Sequence, residues 1–363
     1  MTISRDTGLL EATLLTRSGR LTEATALIQR LLGGKSSGPP ADSVGPHLPD
    51  GVRKLLDRLK GLGGGLGRHT PPPEADGRFI DGSFSNHVGS RNYKLFVPRG
   101  YEGQPVPLVV MLHGCTQSPT DFAAGTRMNA VAERHACLVA YPEQPPSANP
   151  QRCWNWFIPD DQRREHGEPA LIAGITRQIA RDYRVDPQRI YVAGLSAGGA
   201  AAAIMGLAYP ELYAAVGVHS GLACGSASDL NSALAAMRTG ETPAPPARPH
   251  AGRAWTPTIV FHGDQDRTVN PRNGKRVVAQ ALGGAVALQQ VLEQGEAGRA
   301  YTRTLHTADD GTVAIEHWLI HGAGHAWSGG SPAGSFTDPQ GPDASQEMLR
   351  FFLAHAQPVA SGT

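Results

Sequence analysis

The feature that most constrains this 363-residue chain is the stretch around Ser196, where an apolar, β-branched run meets a turn of small residues. Ile190-Tyr191-Val192-Ala193 has the composition of a buried strand, and Gly194-Leu195-Ser196-Ala197-Gly198 follows it at once. The run from Gly199 to Ala203 then opens a helix of residues with almost no side chain. A turn this sharp brings the helix backbone against the strand, so small flanking residues are required. The G-x-S-x-G string alone carries little weight in a chain with 44 glycines. Its strand-turn-helix setting carries more, because that setting holds one serine up at the end of a sheet strand. The competing reading is a plain Gly-rich strand-to-helix loop.

Around this turn, residues 78–357 alternate between the two periodicities. Strands are expected at 107–112, 137–141, 189–195, 216–219, 258–262 and 314–320, and helices at 120–135, 168–183, 197–209 and 345–356. Strands alternating with helices predict a mostly parallel sheet covered on both faces, the doubly wound α/β class. Ligands in that class bind beyond the carboxyl ends of the strands. Residues 1–34 read as an amphipathic helical hairpin, with Leu10 and Leu14 on one arm and Leu21, Ala24, Ile28 and Leu31 on the other. It would either pack on a neighbouring surface or adsorb to a lipid-like or polymer surface. Residues 35–77 read as a Gly/Pro-rich linker and 358–363 as a flexible tail.

Lys and Arg number 33 against 32 Asp and Glu, which leaves no basic footprint for nucleic acid. No apolar run approaches the length of a transmembrane helix. The N-terminus lacks a basic segment followed by an apolar one, so no secretory signal is expected. Four cysteines are too few for a disulfide scaffold of this size, and the expected location is cytoplasmic.

A serine hydroxyl needs a base, and the base needs a carboxylate to orient it. On a sheet of this kind the acid and the base follow the serine in the chain, each just beyond a strand end. The acid is expected in His262-Gly263-Asp264-Gln265-Asp266, with Asp266 preferred and Asp264 left to shape the loop. The base is expected at His325, in Gly322-Ala323-Gly324-His325, where the glycines let the loop swing; His317 and His321 compete formally. Acyl transfer also needs amide donors for the developing oxyanion. These are expected from Ala197 and from Cys115, the latter in the loop His113-Gly114-Cys115. The chemistry calls for no metal or cofactor.

Together with Arg91 to Pro98, Leu112-His113-Gly114-Cys115-Thr116-Gln117, Cys153-Trp154-Asn155-Trp156-Phe157 and Gly324-His325-Ala326-Trp327-Ser328-Gly329-Gly330, these motifs resemble the polyhydroxybutyrate depolymerase family of esterases. The resemblance spans most of residues 78–357 and implies the α/β-hydrolase fold. It implies a Ser196-Asp266-His325 triad with the Cys115 and Ala197 amides as oxyanion hole. It also places Cys115 near Cys153, as a disulfide pair. Cys137 and Cys224 then read as buried thiols. Trp327 stands two residues from the expected base as a wall of the acyl pocket, or as ordinary packing. Trp154 and Trp156, expected to share a strand face, divide between cleft rim and core.

The implied substrate is a short-chain polyhydroxyalkanoate or its oligomers. Secreted depolymerases usually carry a leader and a C-terminal polymer-binding domain; their expected absence here points to storage granules, with the N-terminal helices as granule contact. The alternatives are a feruloyl or acetyl carbohydrate esterase, a general short-chain carboxylesterase, and, more remotely, a noncatalytic granule-surface protein.

Overall fold

The structure is a computed structural model that describes residues 77–241, 257–283, 289–308 and 310–358. The helical hairpin expected over 1–34, the linker up to residue 76 and the tail from 359 lie outside these residues.

Ten strands form one sheet: β1 (Arg78–Asn86), β2 (Gly89–Val97), β3 (Val106–Leu112), β4 (Leu138–Pro142), β5 (Val185–Leu195), β6 (Ala215–His219), β7 (Thr258–Gly263), β8 (Gln289–Ala297), β9 (Arg299–Thr307) and β10 (Val313–Ile320). Their order is β1-β2-β4-β3-β5-β6-β7-β10-β9-β8. The central strands β4, β3, β5, β6, β7 and β10 run parallel. Antiparallel pairs flank them, with β1 and β2 at one edge and β9 and β8 at the other. The expected parallel strands are present, some a few residues longer; the flanking strands were not anticipated. The reason lies in burial. β1 alternates exposed and half-buried residues, whereas β3 is buried along its whole length. An edge strand therefore lacks the continuous apolar run that marks a central parallel one.

The sheet separates two cores, as the pleat dictates. Leu108, Val110, Ile190 and Val192 point into one, and Val109, Met111, Tyr191 and Ala193 into the other. Helices α1 (Pro119–Thr126) and α2 (Met128–Arg134) cover the second face. Helices α3 (Gly167–Asp182), α4 (Ala197–Ala208), α5 (Leu230–Thr239) and α6 (Arg272–Leu282) cover the first. The closing helix α7 (Ala344–Leu353) returns to the second face through Met348, Leu349, Phe351 and Phe352. Helices on both faces of a parallel sheet make the doubly wound class.

The helix expected over 120–135 is broken into α1 and α2. Arg127 takes a left-handed conformation (φ 55°), and its amide closes α1 on the Ala123 carbonyl. Its guanidinium is held by Gly329 O at 2.9 Å and Asp343 Oδ2 at 3.1 Å. These long-range contacts override the helical pattern, which continues through the break.

Candidate active site

Ser196, Asp266, His325 and Cys115 each lie just past the carboxyl end of a parallel strand, namely β5, β7, β10 and β3. Ser196 itself has φ 59° and ψ −118°, a conformation side-chain-bearing residues seldom take. Its amide donates to His219 O at 2.9 Å, fixing the turn to the end of β6. A Cβ on Gly194 would strike the Gly198 backbone, and one on Gly198 would strike the carbonyls of Leu112 and His113. The glycines of the pentapeptide are thus a steric requirement of this turn.

Asp266 and His325 form a buried pair, with His325 Nδ1 2.7 Å from Asp266 Oδ2. The other carboxylate oxygen accepts the amides of Thr268 at 2.9 Å and Val269 at 2.8 Å. His262 lies beside it, its Nε2 3.4 Å from Asp266 Oδ2 and donating to Val269 O at 2.9 Å. Burial works to raise the Asp266 carboxyl, but the adjacent His325 and His262 hold it well below the usual carboxylate range. It is therefore an ionised acceptor at neutral pH. The two sequence alternatives, Asp264 and His321, pair with each other instead at 3.0 Å. Asp264 also accepts the Gly322 amide at 2.8 Å, and His321 Nε2 meets Thr302 Oγ1 at 2.9 Å. His317 is buried within β10, where burial pushes it down to about 3.

The loop after β3 lies against the nucleophile turn: a Cβ on Gly114 would sit 3.7 Å from the Ser196 Cβ. The Gly114 amide is occupied, donating to Gln117 Oε1 at 2.9 Å. Among the described residues, the amides of Cys115 and Ala197 donate to no acceptor. Ala197 is the first residue of α4, where amides have no partner within the helix. These two N–H groups are available to a developing oxyanion. Cys115 and Cys153 are joined by a disulfide with Cα atoms 4.2 Å apart. Among the described residues, no group of three or more His, Cys, Asp or Glu side chains is placed to hold a metal ion.

Of the two readings open for each tryptophan, burial favours packing: Trp154, Trp156 and Trp327 are 0%, 5% and 1% exposed, and none stands open to solvent. Trp154 donates from Nε1 to His113 O at 3.1 Å. Trp327 donates to Ser345 Oγ at 3.1 Å and stacks on His219. Nor do Trp154 and Trp156 share a strand, because residues 152–155 are an irregular segment tied down by hydrogen bonds. Aromatic identity next to a site motif shows apolar surface but not which side of it faces solvent.

His219 escaped the sequence reading. It accepts the Ser196 amide on its carbonyl and the Ser328 amide on Nε2 at 3.0 Å, so it links the nucleophile turn to the loop that carries His325. Burial pushes its imidazole down to about 3, keeping it a neutral acceptor. A histidine ending an apolar strand gives no sign of such a role.

This sheet with this carboxyl-end site defines the α/β-hydrolase class. Among solved structures the fold matches an acetyl xylan esterase from Aspergillus awamori, with TM-score 0.57 and 19% identity over 73% of this chain and 94% of that one. The chain belongs to the esterase PHB depolymerase family, whose model matches residues 91–302. It is 30% identical over 251 residues to poly(3-hydroxyalkanoate) depolymerase C of Paucimonas lemoignei, covering 67% of this chain and 60% of that protein. It is 26% identical over 289 residues to feruloyl esterase B of Neurospora crassa, covering 74% of this chain and 89% of that protein. A probable acetylxylan esterase A of Aspergillus clavatus is 27% identical, covering 53% of this chain and 65% of that protein. The chain thus spans about 60% of the length of the depolymerase it matches.

Proposed function

We propose that the chain is a carboxylic ester hydrolase that cleaves short-chain polyhydroxyalkanoates, or their oligomers, through an acyl-enzyme on Ser196. The observation that carries the mechanism is the buried Asp266–His325 pair at 2.7 Å, at the same carboxyl-end edge of the sheet as a serine held at positive φ. In this reading His325 removes the Ser196 proton as Oγ attacks the ester carbonyl, and Asp266 holds the imidazole and stabilises it when charged. The Cys115 and Ala197 amides receive the oxyanion. His325 then returns the proton to the leaving alcohol, and water repeats the sequence to release the acid.

Family membership and the depolymerase relative support the polyester. The feruloyl esterase relative, matched over 89% of its own length, supports a second reading as an aryl or carbohydrate ester hydrolase. Release of 3-hydroxybutyrate from amorphous granules, compared with hydrolysis of methyl ferulate and p-nitrophenyl butyrate, separates them. The first reading expects granule turnover well above ferulate turnover, and the reverse order overturns it.

Action in the cytoplasm at granule surfaces, with residues 1–34 as the contact, completes the proposal. Deleting residues 1–40 should reduce granule adsorption; unchanged adsorption removes that role. Disulfides persist mainly in oxidising compartments, so an intact Cys115–Cys153 bond in protein taken from its own cells would move the enzyme out of the cytoplasm.

A further inference from the structure

Glu168, near the start of α3, is a buried carboxylate that the proposed chemistry does not use. Its Oε1 accepts Gln144 Nε2 at 2.5 Å and Asn155 Nδ2 at 2.8 Å. Its Oε2 accepts the Asn155 amide at 2.8 Å. Its own amide is held by Asp161 Oδ1 at 2.7 Å, and the Arg91 guanidinium stands 4.0 Å away. The groups gathered by this carboxylate lead directly to the loop after β3. Gln144 donates from its backbone to His113 Nε2 at 3.1 Å and from its side chain to Cys153 O at 3.0 Å. His113 in turn donates from Nδ1 to Gly114 O at 2.8 Å. Trp154 donates to His113 O, Gln151 O accepts the Thr116 amide at 2.7 Å, and Cys153 is bonded to Cys115.

We propose that Glu168 is the positioning residue of the oxyanion loop, holding Gln144 and residues 153–155 so that the Cys115 amide faces Ser196. The inference rests on the site reading above.

The residue type follows from the donor count. Three N–H groups converge on Glu168, and an ionised carboxylate is a side chain that accepts at both oxygens and donates at neither. Glutamine would turn an NH2 group onto one of those donors. A buried donor left unmade is costly, and the loop relieves it by shifting. His113 suits the same design. Burial pushes it down to about 4, and the neutral ring with the proton on Nδ1 satisfies both of its bonds. Burial, with Asp161 nearby, pushes Glu168 up to about 8, while Asn155, Gln144 and Arg91 pull the other way. Raising the pH favours the ionised form that accepts all three donors, so the test is run on the alkaline side.

The test compares Glu168→Gln with wild type at pH 9 on p-nitrophenyl butyrate, with active sites counted by phosphonate titration. A trifluoromethyl ketone, whose adduct places an oxyanion in the same hole, is the second probe. The expected result is a kcat per active site lower by about tenfold or more, a matching loss of ketone affinity, and a KM within about twofold. Gln144→Met, which removes the two side-chain bonds to Glu168 and Cys153 O but keeps the backbone donor to His113 and the Asn155 donors to Glu168, should show the same pattern more weakly. It decides the matter if Glu168→Gln does not fold. Unchanged ketone affinity, or a loss confined to the active fraction, overturns the proposal. Ser196→Ala in the same assay separates the failures. Activity kept there overturns the site and the clamp together; activity lost there but kept in the Glu168 and Gln144 variants overturns the clamp alone.

Discussion

Two aspartate–histidine pairs sit within a few residues of each other, and their difference is the ground for proposing one of them, and not the other, as the base. Asp266 and His325 have side chains 0% and 3% exposed; Asp264 and His321 have side chains 28% and 40% exposed. Both pairs join the loop after β7 to the loop after β10 at hydrogen-bonding distance. In the outer pair, water competes for every charge and the interaction is screened. In the inner pair, Asp266 is fixed by two amides and has the low dielectric in which it can stabilise a charged imidazole. The outer pair ties the two loops together; the inner one has the surroundings that chemistry needs.

Substitutions that break each pair should separate them. His325→Ala is expected to lower kcat on p-nitrophenyl butyrate by about 10⁴-fold or more, from the loss of base and acid together. Asp266→Asn should cost about 10⁴-fold while leaving the fold intact, because the neutral amide no longer selects the productive tautomer. Measured under the same conditions, His321→Ala and Asp264→Asn should stay within about fivefold of wild type, the effect of a surface tie. Equal losses in the two pairs would erase the distinction drawn from burial.

Between the two extremes lies an effect of pH on stability. Burial lowers His113 to about 4 and His219 and His317 to about 3, against an ordinary value of 6.5. The unfolded chain therefore binds protons that the folded chain refuses, and stability falls as pH drops below about 6.5. The Asp266 carboxyl, held low, adds a loss of the same sign at more acidic pH. The Glu168 carboxyl, pushed up to about 8, holds a proton that the unfolded chain lacks and offsets part of the histidine loss over the same range. A fall in Tm on the order of 5 °C between pH 7 and 5 is expected by calorimetry. His219→Gln, which keeps an acceptor but does not titrate, should flatten that slope.

The parallel core of the fold was legible because buried strands write continuous apolar runs, as in Val106–Leu112 and Thr258–Gly263. The nucleophile turn was legible because its backbone tolerates only glycine at Gly194 and Gly198. The proposed acid and base were expected at Asp266 and His325, with Asp264 two positions away and His321 four positions away as competitors. The structure separates the two pairs by burial, which no spacing records. The support around them was not legible. Glu168, Gln144 and His219 act through contacts with residues far along the chain, and no spacing records such contacts. The tryptophans show the reverse case: conspicuous residue types beside a motif, pointing inward.

The central claim is that Ser196 is the nucleophile, and covalent labelling tests it most directly. A p-nitrophenyl phosphonate should release one equivalent of nitrophenol per chain, and peptide mass spectrometry should place the adduct on Ser196. Ser196→Ala should take no label and show no turnover on butyrate esters. Stoichiometric labelling of another residue, or near-full turnover by Ser196→Ala, would contradict the account.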